Sequence, residues 1–145
     1  MAAPTIRHIE AFEDIRASFQ VMKELRPHLE DDADFVARVS RMRAQNYRLL
    51  GVLQATEVVA LAGYRLQENL IYGPFLYVDD LVVTHSRRGD RHGARLLREL
   101  DRIAREAGCR RLVLDTGLGN ALAQRFYFRE GLLTGAMRFQ KMLDE

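Results

Sequence analysis

The sequence predicts a mixed α/β (α+β) fold: one mostly antiparallel sheet flanked by about four helices. Three observations carry that expectation. Two long segments, Ala11–Arg26 and Arg91–Ala107, repeat apolar residues at three- and four-residue steps, the mark of amphipathic helices. Two β-rich runs stand either side of the short connection Ala55-Thr56-Glu57, which pairs them antiparallel. A strand, a helix and a strand follow one another between Phe75 and Asp115, which implies one parallel pair with a right-handed crossover.

In order, Thr5–Glu10 reads as a first strand. The helix Ala11–Arg26 places Phe12, Ile15, Phe19, Met22 and Leu25 on one face, and Pro27 stops it. Glu30, Asp31, Asp32 and Asp34 give an acidic entry to a second helix with Phe35, Val39 and Met42 inward. Tyr47–Gln54 and Val58–Leu66 are strands, and Gly73-Pro74 precedes a third long one, Phe75–Thr84. The helix Arg91–Ala107 turns Leu96, Leu97, Leu100, Ile103, Ala104 and Ala107 inward and ends at Gly108. Arg111–Asp115 is a short strand. The turn Thr116-Gly117-Leu118-Gly119 leads to a helix from Asn120 to about Glu130, and Met137–Leu143 closes the chain as a strand. The expected order is β-α-α-β-β-β-α-β-α-β, in a single domain over residues 1–145.

Composition narrows the function classes. The chain has 145 residues, 48% hydrophobic and 29% charged, with a net charge of +2. A core of this size needs neither disulfides nor metal. The charge is too small for bulk nucleic-acid binding, and the arginine stripe Arg91, Arg95, Arg98, Arg102 and Arg105 lacks interleaved aromatics. The one cysteine, Cys109, allows no internal disulfide, and no Cys/His spacing suggests a metal site. No apolar run is long enough to span a bilayer, and the first residues lack a signal-peptide core, so a cytoplasmic setting is expected.

Thr84–Leu97, THSRRGDRHGARLL, is the most informative stretch. It lies between a strand and a helix, where unpaired N–H groups and the helix dipole favour an anion. Gly89 and Gly93 permit close backbone approach, and Arg87, Arg88 and Arg91 add charge. Alone, the pattern also fits a plain loop followed by a solvated face. It is neither a P-loop, lacking GK[ST], nor a GxGxxG fingerprint.

The segment Arg88-Gly89-Asp90-Arg91-His92-Gly93-Ala94 resembles the [Q/R]-x-x-G-x-[G/A] phosphate loop of the GNAT superfamily of acyl-CoA-dependent N-acyltransferases. Arg91 departs from it, standing where the family usually has glycine, so the fit depends on the backbone angles there. LYVDDLVV (Leu76–Val83), LVLDT (Leu112–Thr116) and NALAQRFYFREGL (Asn120–Leu132) resemble the family's fourth strand, fifth strand and following helix in register. RFYFREG and RFQK resemble the small-amine acetyltransferases of the aminoalkylphosphonate type. The resemblance implies a twisted GNAT-like sheet, acetyl-CoA as co-substrate, no metal, and a homodimer.

It also implies roles. Arg88, Gly89, Asp90, Arg91, His92, Gly93 and Ala94 hold the diphosphate. The backbone of Leu81, Val82 and Val83 pairs with the pantetheine arm, Val83 N–H lying near the thioester oxygen, and Asn120 binds the same arm. An alkylamine is almost wholly protonated at pH 7, so its attack needs a proton acceptor, and the departing thiolate needs a donor. Asp79 is the candidate acceptor; Asp80 and Tyr77 are placed at the substrate. Strand alternation puts Tyr77, Asp79, Leu81 and Val83 on one face and Val78, Asp80 and Val82 on the other. Both carboxylates also suit a structural role in hydrogen bonds. Tyr127, two helical turns after Asn120, is the candidate acid; flanked by Phe126 and Phe128, it also suits a core tyrosine. Asn120 is a good N-cap in either case.

Of the histidines, His8, His28 and His85 have no partner at diagnostic spacing, and His92 reads as an exposed loop histidine in reach of phosphate. The acidic run at Glu30–Asp34 reads as a solvated helix start, and Cys109 as a small residue entering a strand. The expected activity is acetyl transfer to a small primary amine by direct attack in a ternary complex. The alternatives are a non-catalytic acyl-CoA sensor and an enzyme acting on protein N-termini or lysines.

Overall fold

The computed structural model describes residues 3–144. They form two compact units, one ending at Leu114 and one beginning at Asp115. The first contains β1 (Thr5–His8), α1 (Phe12–Ala17), α2 (Phe19–Leu25), α3 (Asp32–Met42), β2 (Tyr47–Gln54), β3 (Glu57–Asn69), β4 (Gly73–Val83), α4 (His92–Glu106) and β5 (Arg111–Leu114). The second contains α5 (Ala121–Arg129).

The sheet has the order β1-β2-β3-β4-β5. The first three pairings are antiparallel, and β4 with β5 is the expected parallel pair. Alternation gives the sheet two apolar faces. One packs Tyr47, Leu49, Leu61 and Val82 against Ile15, Phe19, Phe35 and Val39 of α1–α3. The other carries Val52, Ala60, Ala62 and Tyr64 and is covered by α4, whose Leu96, Leu97, Leu100 and Ala104 are buried.

The helix expected over Ala11–Arg26 is two helices meeting at Ser18. Its hydroxyl is fully buried and donates to the Ile15 carbonyl at 2.7 Å. Such back-bonding competes with the helical ladder and bends it, which makes five α-helices among the described residues. The acidic entry to α3 is a capping arrangement: Asp31 Oδ1 accepts from Asp34 N (2.8 Å), and Asp34 Oδ2 from Glu30 N (3.1 Å). Gly108, at φ +77°, ends α4 as expected, with Cys109 N bonded to Ala104 O at 2.8 Å.

The last expected strand does not form. Residues 132–144 carry no regular secondary structure, and Met137, Phe139, Met142 and Leu143 are exposed. Alternation alone suggested that strand. A strand also needs a ladder partner, and α5, whose groups bond internally, is the only regular element described in this unit.

Candidate active site

The carboxylate pair sits at an irregularity in β4. Gly63 pairs with Asp80, but the next residue of β3, Tyr64, pairs with Val78. Asp79 is therefore the extra residue of a β-bulge, without a partner in the ladder. The bulge overturns the simple alternation expected for this strand. Asp80 and Val82 pair with Gly63 and Leu61 and share the α1–α3 face with Tyr77, which pairs with Arg65. Leu81 and Val83 point the other way. Asp79 is turned to the same side as Asp80, where it meets Arg65.

Each carboxylate has its own cation. Asp80, 11% exposed, accepts from Arg26 Nε at 2.9 Å and from the Tyr47 hydroxyl at 2.7 Å. Asp79, 18% exposed, accepts from Arg65 Nε at 3.1 Å on both oxygens, and Arg65 also donates to Gln45 Oε1 at 2.9 Å. Arg26 Nη2 donates to the Asp79 carbonyl at 2.8 Å, tying the bulge to the end of α2. Burial pushes the Asp79 carboxyl above its ordinary range; Arg65 opposes this and neighbouring Asp80 reinforces it. Burial, with Asp80 beside it, holds the Tyr47 phenol well above its ordinary value. Gly63 makes room for this cluster: a Cβ there would lie 1.9 Å from Tyr47 Oη and 2.6 Å from Asp80 Oδ2. Beside it, Tyr47, Asn46, Arg43, Arg48 and Leu66 line an open cleft of about 640 Å³.

Beyond the bulge, β4 has an open edge. Its pairing with β5 ends at Val78↔Leu114. Thr84 N–H bonds to Val59 of β3 at 2.9 Å, so by alternation the N–H groups of Val83 and Leu81 point away from β3. The strand then enters a short 3₁₀ turn, His85–Arg87. Glu24 anchors it, accepting from Thr84 Oγ1 (2.6 Å) and His85 N (2.9 Å).

Arg88–Ala94 follows. Gly89 has φ +98° and Arg91 φ +65°, ψ +24°, both left-handed. Arg91 thus adopts the conformation that suits glycine, the residue it replaces in the resembling motif. Arg95 Nη1 donates to the Asp90 carbonyl at 2.6 Å and braces the turn. The N–H groups of His92, Gly93 and Ala94 lie in the first turn of α4, beyond reach of any intrahelical carbonyl. His92 is not the exposed loop residue expected: it is 2% exposed, the first residue of α4 directly after the left-handed turn at Arg91.

In the second unit, Asn120 caps α5, its Oδ1 accepting from Ala123 N at 3.1 Å. Tyr127 is half-buried, its ring centroid 5.4 Å from that of Phe126, and burial raises its phenol.

Comparison with known proteins shows the family of the chain. The profile of the Acetyltransferase (GNAT) family matches residues 9–131. The chain belongs to the GNAT family of acetyltransferases. The chain is 34% identical over 99 residues to the aminoalkylphosphonate N-acetyltransferase of Salmonella typhimurium, a match spanning 68% of this chain and 63% of that protein. It is 28% identical over 122 residues to the uncharacterized N-acetyltransferase YhdJ of Bacillus subtilis, spanning 84% and 86%. The aminoglycoside N-acetyltransferase AAC(6')-Iy, solved with CoA, shares the fold at a TM-score of 0.85 and 16% identity, with 98% and 95% of the chains covered. Glucosamine-6-phosphate N-acetyltransferase from Arabidopsis thaliana does so at 0.78 and 20%, with 99% and 100% covered. This GNAT protein is therefore an acyltransferase that uses acetyl-CoA.

Arg26, Tyr47, Gly63 and Arg65 belong to the carboxylate cluster, and sequence reading did not single them out. Only the paired aspartates hinted at them, since two buried carboxylates need cations.

Proposed function

We propose that this enzyme acetylates a small primary amine by direct attack in a ternary complex with acetyl-CoA. One observation carries the reading: the bulge sets Asp79 and Asp80 where the open edge of β4 begins, and that edge leads through the 3₁₀ turn and the Arg88–Arg91 loop to the N-terminus of α4. The donor set suits the co-substrate. Within Arg88–Ala94 the N–H groups of His92, Gly93 and Ala94, with the adjacent arginines, hold a diphosphate, while Arg88 and Asp90 donate theirs to His85 O and Arg87 O; the N–H groups of Leu81 and Val83 meet an extended arm as an added strand. Asn120 holds the same arm.

Acetyl-CoA supplies the acyl thioester. Asp79, whose burial raises its proton affinity, takes the ammonium proton, directly or through water. Asp80, held by Arg26 and Tyr47, fixes the substrate cation together with Tyr77. Val83 N–H polarises the acyl oxygen. Tyr127 protonates the leaving thiolate; a phenol carries its proton at neutral pH, and burial raises this one further above its ordinary value. Direct attack is supported by the position of the one cysteine: Cys109 enters β5 next to Arg110, whose N–H bonds to Pro74 at the end of β4 away from the bulge. The aminoalkylphosphonate relative supports a small amine as acceptor.

The test is a panel of small amines and peptides with acetyl-CoA, following free thiol. Turnover on small amines is expected. Turnover on peptides alone, or acetyl-CoA binding without turnover, contradicts the reading. With a good amine in hand, Tyr127→Phe is expected to lower kcat about 100-fold while leaving acetyl-CoA affinity within about threefold. Equal turnover removes Tyr127 from the mechanism.

A further inference from the structure

We propose that His92 is a positioning residue for coenzyme binding: its neutral ring holds Arg95 on the Asp90 carbonyl and so fixes the left-handed turn from which the loop presents its N–H groups. The inference rests on the coenzyme reading above.

The geometry determines the tautomer. Arg95 Nη1 lies 3.0 Å from His92 Nδ1 and 2.6 Å from Asp90 O. A guanidinium only donates, so Nδ1 must accept and Nε2 must carry the proton. That Nε2–H is buried and has no hydrogen-bond partner among the described residues. Asp90 Oδ2 lies 4.0 Å from it. An unmet buried donor is costly, and an apolar side chain would fill the space without that cost. What the imidazole offers instead is the acceptor at Nδ1. Through it, one arginine is aimed at the carbonyl immediately before Arg91, the strained residue of the loop. Residues 90, 91, 92 and 95 thus form a closed bracket.

The bracket opens when the ring takes up a proton. Protonation removes the acceptor and sets an imidazolium against Arg95. The charged groups facing the ring are Arg95, Arg87 and Asp90. Burial and the two arginines oppose the charge, while Asp90 favours it, and the net effect lowers the His92 pKa below 6.5. The sign follows. A folded-state pKa below the unfolded one means that the unfolded chain binds more protons in this range. The bracket therefore contributes fully above about pH 6.5 and is lost as pH falls through the lowered value.

Calorimetric titration of acetyl-CoA between pH 5.5 and 8 tests this on wild type, His92→Leu and His92→Asn. Asparagine keeps an acceptor oxygen where Nδ1 sits but does not titrate. Wild-type affinity is expected to be flat above pH 7 and to weaken as pH falls. His92→Leu is expected to bind roughly tenfold more weakly at pH 7.5. His92→Asn is expected to recover most of that loss and to lack the histidine-dependent fall. Equal affinity for wild type and His92→Leu across the range overturns the proposal, as does an unchanged acid fall in His92→Asn. No binding by any of the three overturns the coenzyme reading and this proposal with it. Should His92→Leu not fold, the ring 15N shifts of the wild type decide: a protonated Nε2 with bare Nδ1 at pH 7.5 supports the bracket, and a protonated Nδ1 overturns it.

Discussion

Arg91 carries the sharpest local tension in the chain. Its φ of +65° puts an arginine in the left-handed region, which costs a side-chain-bearing residue about 1–2 kcal/mol. Glycine there avoids the clash but gives up about 0.5–1 kcal/mol of chain entropy. Arg91→Gly is thus expected to stabilise the fold by about 0.5–1 kcal/mol, measured by urea unfolding at neutral pH. A loss of stability would show that the Arg91 side chain makes contacts outweighing the strain. The tension was half-visible in the sequence. The motif shows that glycine is missing at Arg91, while only the folded backbone reveals that the residue still adopts glycine's conformation. His92 is the converse case. Its place in a polar loop suggested exposure, and nothing in residue order reveals that the ring is buried.

At the scale of elements, β4 decides the site. A bulge of one residue turns Asp79 toward the same side as Asp80, so that Arg65 and Arg26 can each hold one carboxylate. Alternation cannot reveal this, because a period of two contains no record of an inserted residue. The pairings Arg26–Asp80 and Tyr47–Asp80 also join residues 54 and 33 positions apart, beyond any local pattern. Gly63 is the hinge of the arrangement. Gly63→Ala must push Tyr47 Oη off Asp80, and Tyr47 is 3% exposed. The expected cost is about 2–4 kcal/mol, from overpacking plus a broken bond to a buried carboxylate. A change below about 0.5 kcal/mol in chemical unfolding would mean that the phenol moves freely. Ser18 teaches a related lesson. The apolar spacing from Phe12 to Leu25 continues through it unbroken, while its buried hydroxyl interrupts the helix.

Across the whole molecule, element order was legible because each signal was local and strong. Tyr47–Gln54 matches its strand at both ends, glycines 73 and 108 mark real boundaries, and the Phe75–Asp115 unit gave the parallel pair. The closing strand failed because alternation over Met137–Leu143 is necessary for a strand but does not supply a partner. The candidate coenzyme loop was legible because a motif and a helix start coincide there. The cations that hold the aspartates were not, since they arrive from α2 and β3 only when the sheet is assembled. The account stands on the loop and the open edge acting as one binding surface. Amide chemical-shift mapping of the 15N-labelled protein with acetyl-CoA tests this most directly. The largest shifts are expected at Leu81, Val83 and Gly89–Ala94, all titrating with one dissociation constant. Shifts confined to other residues, or none at saturating acetyl-CoA, would contradict it.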